Sequence, residues 1–163
     1  LRFRPIMMTT LAALFGALRL TDRVPPYRLS GGVALPRVGV VTTSWKRHLE
    51  TALPPAAGRG LVLDLRSSAY AQMWQPDADL AERTVTMRVL HERVPGDPSS
   101  RQVVSHFNKA TKGRFVRHLV ESGADPRSAD DLVDVVRDFG ATAELQPAKK
   151  GRPRALDLIV LEL

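Results

Sequence analysis

The sequence predicts a compact domain of the α/β or α+β class, in which surrounding helices cover a mixed β-sheet. The first observation behind this prediction is the length of 163 residues, which is typical of one domain. The second is that helical and strand patterns alternate without the strict repetition of a βαβ fold. Hydrophobic residues make up 44% and charged residues 25% of the chain, as in ordinary globular proteins. We therefore expect residues 1–163 to form a single domain.

The elements of the N-terminal half are predicted from apolar periodicity and from stop signals. Apolar residues at helical spacing predict a helix over residues 9–20, and Pro25 and Pro26 prevent its continuation. A second helix is predicted over residues 42–53, with Pro54 and Pro55 as its stop. The apolar run at residues 61–65 predicts a short strand.

The elements of the C-terminal half alternate between strands and helices. Residues 84–91 alternate between apolar and polar side chains, which predicts a strand, and a strand at 101–104 leads into a helix from Ser105. The stretch "DPRSADDLVDVVRDFG" predicts a helix that begins after the N-cap Ser128 and stops at Gly140. Two further strands, at 141–145 and 156–161, are joined by the loop "QPAKKGRPR".

Composition excludes several classes of site and partner. The chain lacks cysteine, which excludes disulfides, thiolate zinc sites, iron–sulfur clusters and cysteine nucleophiles, and which fits a reducing cytoplasm. Its apolar stretches are far shorter than the roughly 18 residues of a membrane span, so no membrane partner is predicted. A formal net charge of +7 favours polyanionic partners.

The stretch "VVSHFNKATKGRFVRHL" predicts an amphipathic helix over residues 105–120. On a helical wheel, Lys109, Lys112, Gly113 and Arg117 fall on one side. The other side carries Phe107, Phe115 and Leu119, which we expect to be buried. Glycine within a helix costs about 1 kcal/mol relative to alanine, and a missing side chain on a basic face lets a polyanion approach the backbone. A solvated cationic face, a helix break and a close helix contact are the alternative explanations.

A longer stretch, "LAALFGALRLTDRVPPYRL", resembles the YaaA family of bacterial peroxide stress proteins. That family has a leucine-rich helix with a glycine near its end, an arginine, an aspartate three residues on and a Pro-Tyr-Arg-Leu run. The corresponding residues are Gly16, Arg19, Asp22 and 26–29. The family usually has proline after the arginine, where this chain has Leu20.

Two more motifs follow in the family's order. The stretch "LVLDLRSSAY" is similar to a hydrophobic strand followed by a serine and a tyrosine, at Ser67 and Tyr70. The basic helix matches a pattern of a serine, a lysine, a basic residue before glycine and an arginine. This pattern corresponds to Ser105, Lys109, Lys112–Gly113 and Arg117.

The resemblance implies a compact mixed α/β fold with a positively charged cleft and a helix-hairpin-helix-like element, which we place at residues 9–19 and the proline-rich segment after them. It also implies binding to DNA and a role in limiting iron-driven oxidative damage, whereas no enzymatic activity follows from it. The family's N-terminal portion, with a Ser-Pro-Ala-Lys motif, has no counterpart in this chain. We therefore expect the chain to correspond to the C-terminal two-thirds of such a protein.

The candidate DNA-binding residues combine these motifs with the preference of Lys and Arg for phosphates. They are Arg19, Tyr27, Arg28, Lys109, Lys112, Gly113 and Arg117. Alternatives remain for single members, since Arg19 could pair with Asp22 and Tyr27 could pack against the core. The densest charge run, "KKGRPR" at residues 149–154, is interpreted as a solvated hairpin loop that could also reach phosphates.

Other functions remain as alternatives. An enzyme acting on a nucleic acid or a nucleotide-like substrate would use a pocket of Asp64, Ser67, Tyr70 and Lys109. A protein-interaction module would present the basic helix to an acidic partner. No metal or cofactor is predicted, because the histidines, at positions 48, 91, 106 and 118, lack a metal-binding spacing. The sequence leaves the oligomeric state open.

Overall fold

The computed structural model describes residues 6–7, 18–19, 23, 30–103 and 105–161. The chain divides into two compact units. The first, which we call the sheet unit, contains Gly60–Leu65 and Ala78–Leu163, and the second, the N-terminal unit, contains Arg2–Arg59 and Arg66–Asp77. The prediction that residues 1–163 form one domain stays a prediction.

The described residues of the N-terminal unit form two small antiparallel strand pairs and two helices. Strand β1 (Ile6–Met7) pairs with β2 (Leu18–Arg19), and β3 (Ala34–Leu35) pairs with β4 (Gly39–Val40). Helix α1 (Val41–Ala57) follows β4 directly, and α2 (Ser68–Ala71) is a single turn.

Two sequence predictions for this unit differ from the structure. Residues 18–19 form a strand rather than the end of a helix, because they pair with β1. The rest of the predicted helix and the predicted helix-hairpin-helix-like element lie outside the described residues. Helix α1 includes Pro54 and Pro55 and ends only at Ala57. Both prolines lie in its last turn, and neither can donate a backbone hydrogen bond there, so the helix ends two residues after Pro55 rather than before Pro54.

The sheet unit contains a mixed five-stranded sheet. Its elements in chain order are β5 (Val62–Asp64), α3 (Ala78–Glu82), β6 (Thr84–Glu92), β7 (Arg101–Gln102), α4 (Ser105–Ser122), α5 (Ala129–Asp138), β8 (Thr142–Leu145) and β9 (Arg154–Val160). The strand order is β5-β6-β9-β8, with β7 paired to the end of β6. Strands β5, β6 and β9 are parallel to one another, whereas β7 and β8 are antiparallel to their neighbours. The predicted mixed sheet with surrounding helices is therefore confirmed.

The core of the sheet unit lies between the central strands and the helices α4 and α5. Strand β6 contributes Val85, Met87 and Val89 at alternate positions, and β9 contributes Leu156 and Leu158. The helices contribute Phe115, Leu119, Leu132, Val133 and Val136 to the same cluster. Alternation along both strands thus creates one apolar face that the helices cover.

The opposite side of β9 carries a charged network. Asp157 is only 2% exposed and accepts hydrogen bonds from both Arg88 and Gln146. The hydrogen bond to Asp157 raises the pKa of Arg88. Arg101 bonds to Glu92 at 2.8 Å and, through both terminal nitrogens, to Glu144. These contacts hold β7 and β8 against the ends of the central strands.

Helix α4 confirms the predicted helix at residues 105–120, and α5 confirms the predicted N-cap at Ser128. The Ser128 hydroxyl accepts a hydrogen bond from the Asp131 backbone N–H, and the Asp131 carboxylate accepts one from the Ser128 backbone N–H. Phe115 and Leu119 are buried as expected, but Phe107 is 40% exposed and its predicted burial is wrong. Phe107 lies near the start of α4, beyond the cluster in which Phe115 packs.

Within the part of the chain that the structure describes, no helix combines the length and the apolar character that crossing a membrane requires.

Candidate nucleic-acid interface

The basic side of α4 leaves space around Gly113. A methyl group built at Gly113 would meet no heavy atom within 4 Å. The helix continues through this position from Ser105 to Ser122 without a break. Among the described residues, therefore, neither a helix break nor a close helix contact explains the glycine. Lys109, one turn earlier, is exposed to solvent.

The other two cations predicted for this side have protein partners. The Lys112 ammonium is partly buried and donates to the Leu65 carbonyl at 3.1 Å. Burial lowers the pKa of Lys112, and the nearby Asp64 carboxylate opposes that shift. Arg117 is exposed and donates to Glu121 at 2.8 Å, one turn further along the helix. The basic side is therefore less uniform than the helical wheel predicts, with Lys112 directed toward the strand β5 segment.

The remaining predicted DNA-binding residues are not tested by the structure. Arg19 lies in β2, but the position of its side chain is not described, and Tyr27 and Arg28 lie outside the described residues. Their roles stay predictions.

The residues of the predicted catalytic pocket belong to different units. Asp64 and Lys109 lie in the sheet unit, whereas Ser67 and Tyr70 lie in the N-terminal unit. Within the sheet unit, Asp64 acts electrostatically on Lys112. Ser67 occupies the N-cap position of α2, although its side chain makes no capping hydrogen bond. The convergence of these four residues stays a prediction.

A groove in the sheet unit gathers positive charge around the loop that joins β8 to β9. We call it the basic groove, and its volume is about 490 Å³. Its lining includes the cations Arg83, Arg127, Lys149, Lys150, Arg152 and Arg154. The acids in the lining are Glu82 and Asp130. The sequence identified only the charge run at residues 149–154 as part of this surface, because Arg83 and Arg127 are brought to the groove by the tertiary fold.

Two cations at the base of the basic groove are held in place. Arg154 donates to the Gln146 carbonyl at 2.9 Å and approaches Asp130 within 4.0 Å. Arg83, at the residue before β6, donates to the Gly60 carbonyl. These contacts fix the guanidinium groups where β5, β6 and β9 begin.

The tip of the loop presents cations to solvent. The Arg152 backbone donates to the Lys149 carbonyl, and Gly151 between them adopts a φ of 67°, which favours glycine. Lys149, Lys150 and Arg152 are exposed. In the described part of the chain, none of the three forms an ion pair with a carboxylate. The predicted solvated hairpin loop is therefore also one wall of a cationic groove.

A second cavity, of about 200 Å³, surrounds a buried histidine of β6. His91 is 4% exposed, and neither ring nitrogen has a hydrogen-bond partner among the described residues. Burial lowers the pKa of His91. Its ring meets Phe107 edge to face, with 6.0 Å between ring centroids. Thr111, Arg114 and Phe139 also line this space, which we call the His91 cavity.

Metal ligands do not assemble in the described residues. Across residues 30–103 and 105–161, no three His, Asp or Glu side chains come together as a group that could hold a metal ion. The sequence prediction of no metal site stays a prediction.

Comparison with known proteins gives consistent matches. The family model described as peroxide stress protein YaaA matches residues 7–141. A UPF0246 protein of Streptomyces coelicolor is 50% identical over 153 residues, which are 93% of this chain and 56% of that protein. A UPF0246 protein of Corynebacterium efficiens is 41% identical over 152 residues, which are 91% of this chain and 57% of that protein.

The chain spans about half the length of the curated relatives it matches. No solved structure matches it.

Replacing Gly113 with alanine is expected to stabilise the protein. The methyl group meets open space, and alanine removes the helix penalty of glycine, so the free energy of unfolding should rise by about 1 kcal/mol. Urea denaturation measures the change. Gly140→Ala is the matched control, since Gly140 has a φ of 88° and alanine there should destabilise. A loss of stability in Gly113→Ala would mean that the glycine serves packing.

The buried histidine should make stability depend on pH. Because the pKa of His91 in the folded chain lies below its ordinary value of 6.5, the unfolded chain binds a proton more readily. Stability should therefore fall as the pH drops through that value. Urea midpoints at neutral pH and at about pH 5.5 should show a smaller loss for His91→Leu than for the unaltered chain. Equal losses in both proteins would contradict a buried neutral imidazole.

Proposed function

Because the chain belongs to the YaaA family of peroxide stress proteins, we propose that it binds DNA and thereby limits the iron-driven damage that peroxide causes. The observation that carries this proposal is the basic groove. Six cations and two acids line it, and three of the cations stand exposed at the loop tip. DNA offers a regular array of phosphates to such a surface, and phosphate contacts by Lys and Arg dominate affinity that is independent of sequence.

The charge distribution supports a phosphate partner over a small neutral ligand. The anchored guanidinium groups of Arg83 and Arg154 supply donors in fixed positions. The exposed Lys149, Lys150 and Arg152 supply charge that can adjust to the backbone of a duplex. A polyanion gains from both kinds of contact, because it releases bound counterions as each phosphate is neutralised.

The basic side of α4 is the second element of the proposed interface. Lys109 is exposed there, and the open space at Gly113 leaves the helix backbone accessible. Arg117 is paired with Glu121, but exposed ion pairs are worth at most about 1 kcal/mol, so a phosphate can compete for the guanidinium. Lys112 contributes less, because its ammonium is engaged by the Leu65 carbonyl.

Salt dependence tests the proposed DNA binding. If about four cations contact phosphates, a plot of log K against log salt for duplex DNA should have a slope of about −3 to −4. Replacing Lys149, Lys150 and Arg152 together with glutamine should weaken binding of all sequences alike. It should reduce the slope by about 0.9 for each side chain that contacts a phosphate. Fluorescence anisotropy at several salt concentrations gives both quantities.

The matched control for this measurement is Arg137→Gln. Arg137 lies on α5, is exposed, pairs with Asp134 and does not line the basic groove. Its replacement removes the same charge and should leave the slope unchanged. A slope near zero for the unaltered chain, or an unchanged slope in the triple variant, would contradict the proposed contact between the basic groove and DNA.

Protection of DNA tests the role in peroxide stress. Supercoiled plasmid exposed to ferrous iron and hydrogen peroxide should be nicked more slowly when the protein covers it. The triple loop variant should lose this protection in proportion to its loss of DNA binding, while Arg137→Gln should keep it. Gel electrophoresis of the nicked and supercoiled forms measures the rate. Nicking at an unchanged rate on saturated DNA would show that binding does not limit iron-driven damage.

A further inference from the structure

The His91 cavity lies at the carboxyl ends of two parallel strands. His91 is the next-to-last residue of β6, and its partner across the ladder is Val160, the last residue of β9. Val160 also lines the cavity. In open α/β sheets, ligands bind in the crevice outside the carboxyl ends of parallel strands. The position of the cavity therefore fits a ligand site.

The imidazole of His91 has two nitrogen atoms that no described residue satisfies with a hydrogen bond. Buried polar groups are nearly always hydrogen-bonded, because burial without a partner is unfavourable. In the part of the chain that the structure describes, both ring nitrogens of His91 lack a hydrogen-bond partner, although the side chain is only 4% exposed and lines the cavity. An apolar side chain would fill this core position without that cost. The neutral imidazole offers one donor and one acceptor to a bound molecule.

One stripe of α4 forms a wall of the cavity. Phe107, Thr111 and Arg114 are spaced four and three residues apart, so they lie on the same side of the helix. The Phe107 ring lies edge to face with the His91 ring, and Arg114 is exposed to solvent. Phe139 lines the cavity from the segment after α5, and its ring is held edge to face by Phe115 with 5.5 Å between centroids.

We infer that the His91 cavity binds the base of a nucleotide, with His91 on the base edge and Arg114 on the phosphate. Flat aromatic walls suit a planar heterocycle, and nucleobases carry both donors and acceptors on their edges. A cavity of roughly 150 Å³ holds benzene, so about 200 Å³ is of the right order for a base. A purely apolar ligand would leave the imidazole unsatisfied, and a bare phosphate would leave the aromatic walls unused.

The nucleotide could be free in solution or unstacked from a DNA strand. Both sources share the chemistry of an aromatic heterocycle next to a phosphate. Binding of a nucleotide within a DNA strand rests on the proposed function, whereas binding of a free nucleotide does not. The basic groove and the His91 cavity share no lining residue, so each can be altered without replacing a residue of the other.

Calorimetric titration of the full chain tests whether the cavity binds a free nucleotide. The four deoxynucleoside 5′-monophosphates and their parent nucleosides are the probes, at neutral pH. His91→Leu should weaken binding of the monophosphates by about tenfold, the cost of a lost buried hydrogen bond. Arg114→Gln should weaken the monophosphates by about tenfold and the nucleosides by less than about twofold.

A pair of short single-stranded oligonucleotides tests whether the cavity binds a base that belongs to a DNA strand. One carries thymine bases and the other is abasic, with the same length and number of phosphates. The chain should bind the thymine strand about tenfold more tightly, and His91→Leu should remove that difference. Duplex binding through the basic groove should persist in His91→Leu, so a failure of this inference is separable from a failure of the proposed DNA binding.

Arg137→Gln is the matched control for both titrations. Arg137 lies on α5, pairs with Asp134 and lines neither the His91 cavity nor the basic groove. It should leave nucleoside and nucleotide affinities unchanged. Thermal melts establish that His91→Leu is folded, and Arg114→Gln changes an exposed residue only. If neither nucleotides nor the thymine strand bind better than their controls, or if His91→Leu binds as well as the unaltered chain, the inference is overturned.

Discussion

The parallel pairing of β6 with β9 is the constraint on which the rest of the sheet unit depends. It joins residues 85–91 to residues 154–160, so more than a third of the chain lies between the two partners. Its register aligns Val85, Met87 and Val89 with Leu156 and Leu158 on one face, which α4 and α5 cover. A slip of one residue would turn Leu156 and Leu158 away from the helices and direct Asp157 into the core.

The same strand pair places both sites. The basic groove lies where the strands begin, with Arg83 before β6 and Arg154 at the start of β9. The His91 cavity lies where they end, at His91 and Val160. Six residues of extended strand separate the two ends, which is roughly 20 Å. One rigid pair of strands therefore positions a cationic surface at one end and an aromatic, hydrogen-bonding cavity at the other.

The charged network ties peripheral elements to this pair. Arg101 joins β7 to Glu92 at the end of β6 and to Glu144 of β8. Because α4 begins three residues after β7, this anchoring also helps to position Phe107 beside His91. The hydrogen bond from Arg101 lowers the pKa of Glu92, because it stabilises the charged carboxylate. The polar side of the sheet thereby contributes to the shape of the cavity on the other side.

Local signals in the sequence determined the elements that depend on near neighbours. Alternation predicted β6, the capping pattern at Ser128 predicted the start of α5, and helical periodicity predicted that Phe115 would be buried. The same periodicity was wrong for Phe107, because a helical wheel gives the side of a residue but not how far along the helix the core extends. It was also wrong at residues 18–19, where pairing with β1 overrides helical propensity.

Only the tertiary structure decided which distant residues meet. Arg83 and Arg127 join the 149–154 loop in one groove, and His91 faces the side chains of α4 across a cavity. In the sequence, Arg83 and Arg127 are ordinary surface cations and His91 is an apolar-face residue of a strand. Their positions depend on the pairing of strands that lie about 70 residues apart in the chain. The alternation of apolar and polar residues alone is compatible with many registers of that pairing. Burial of the apolar face that the two strands share selects one register.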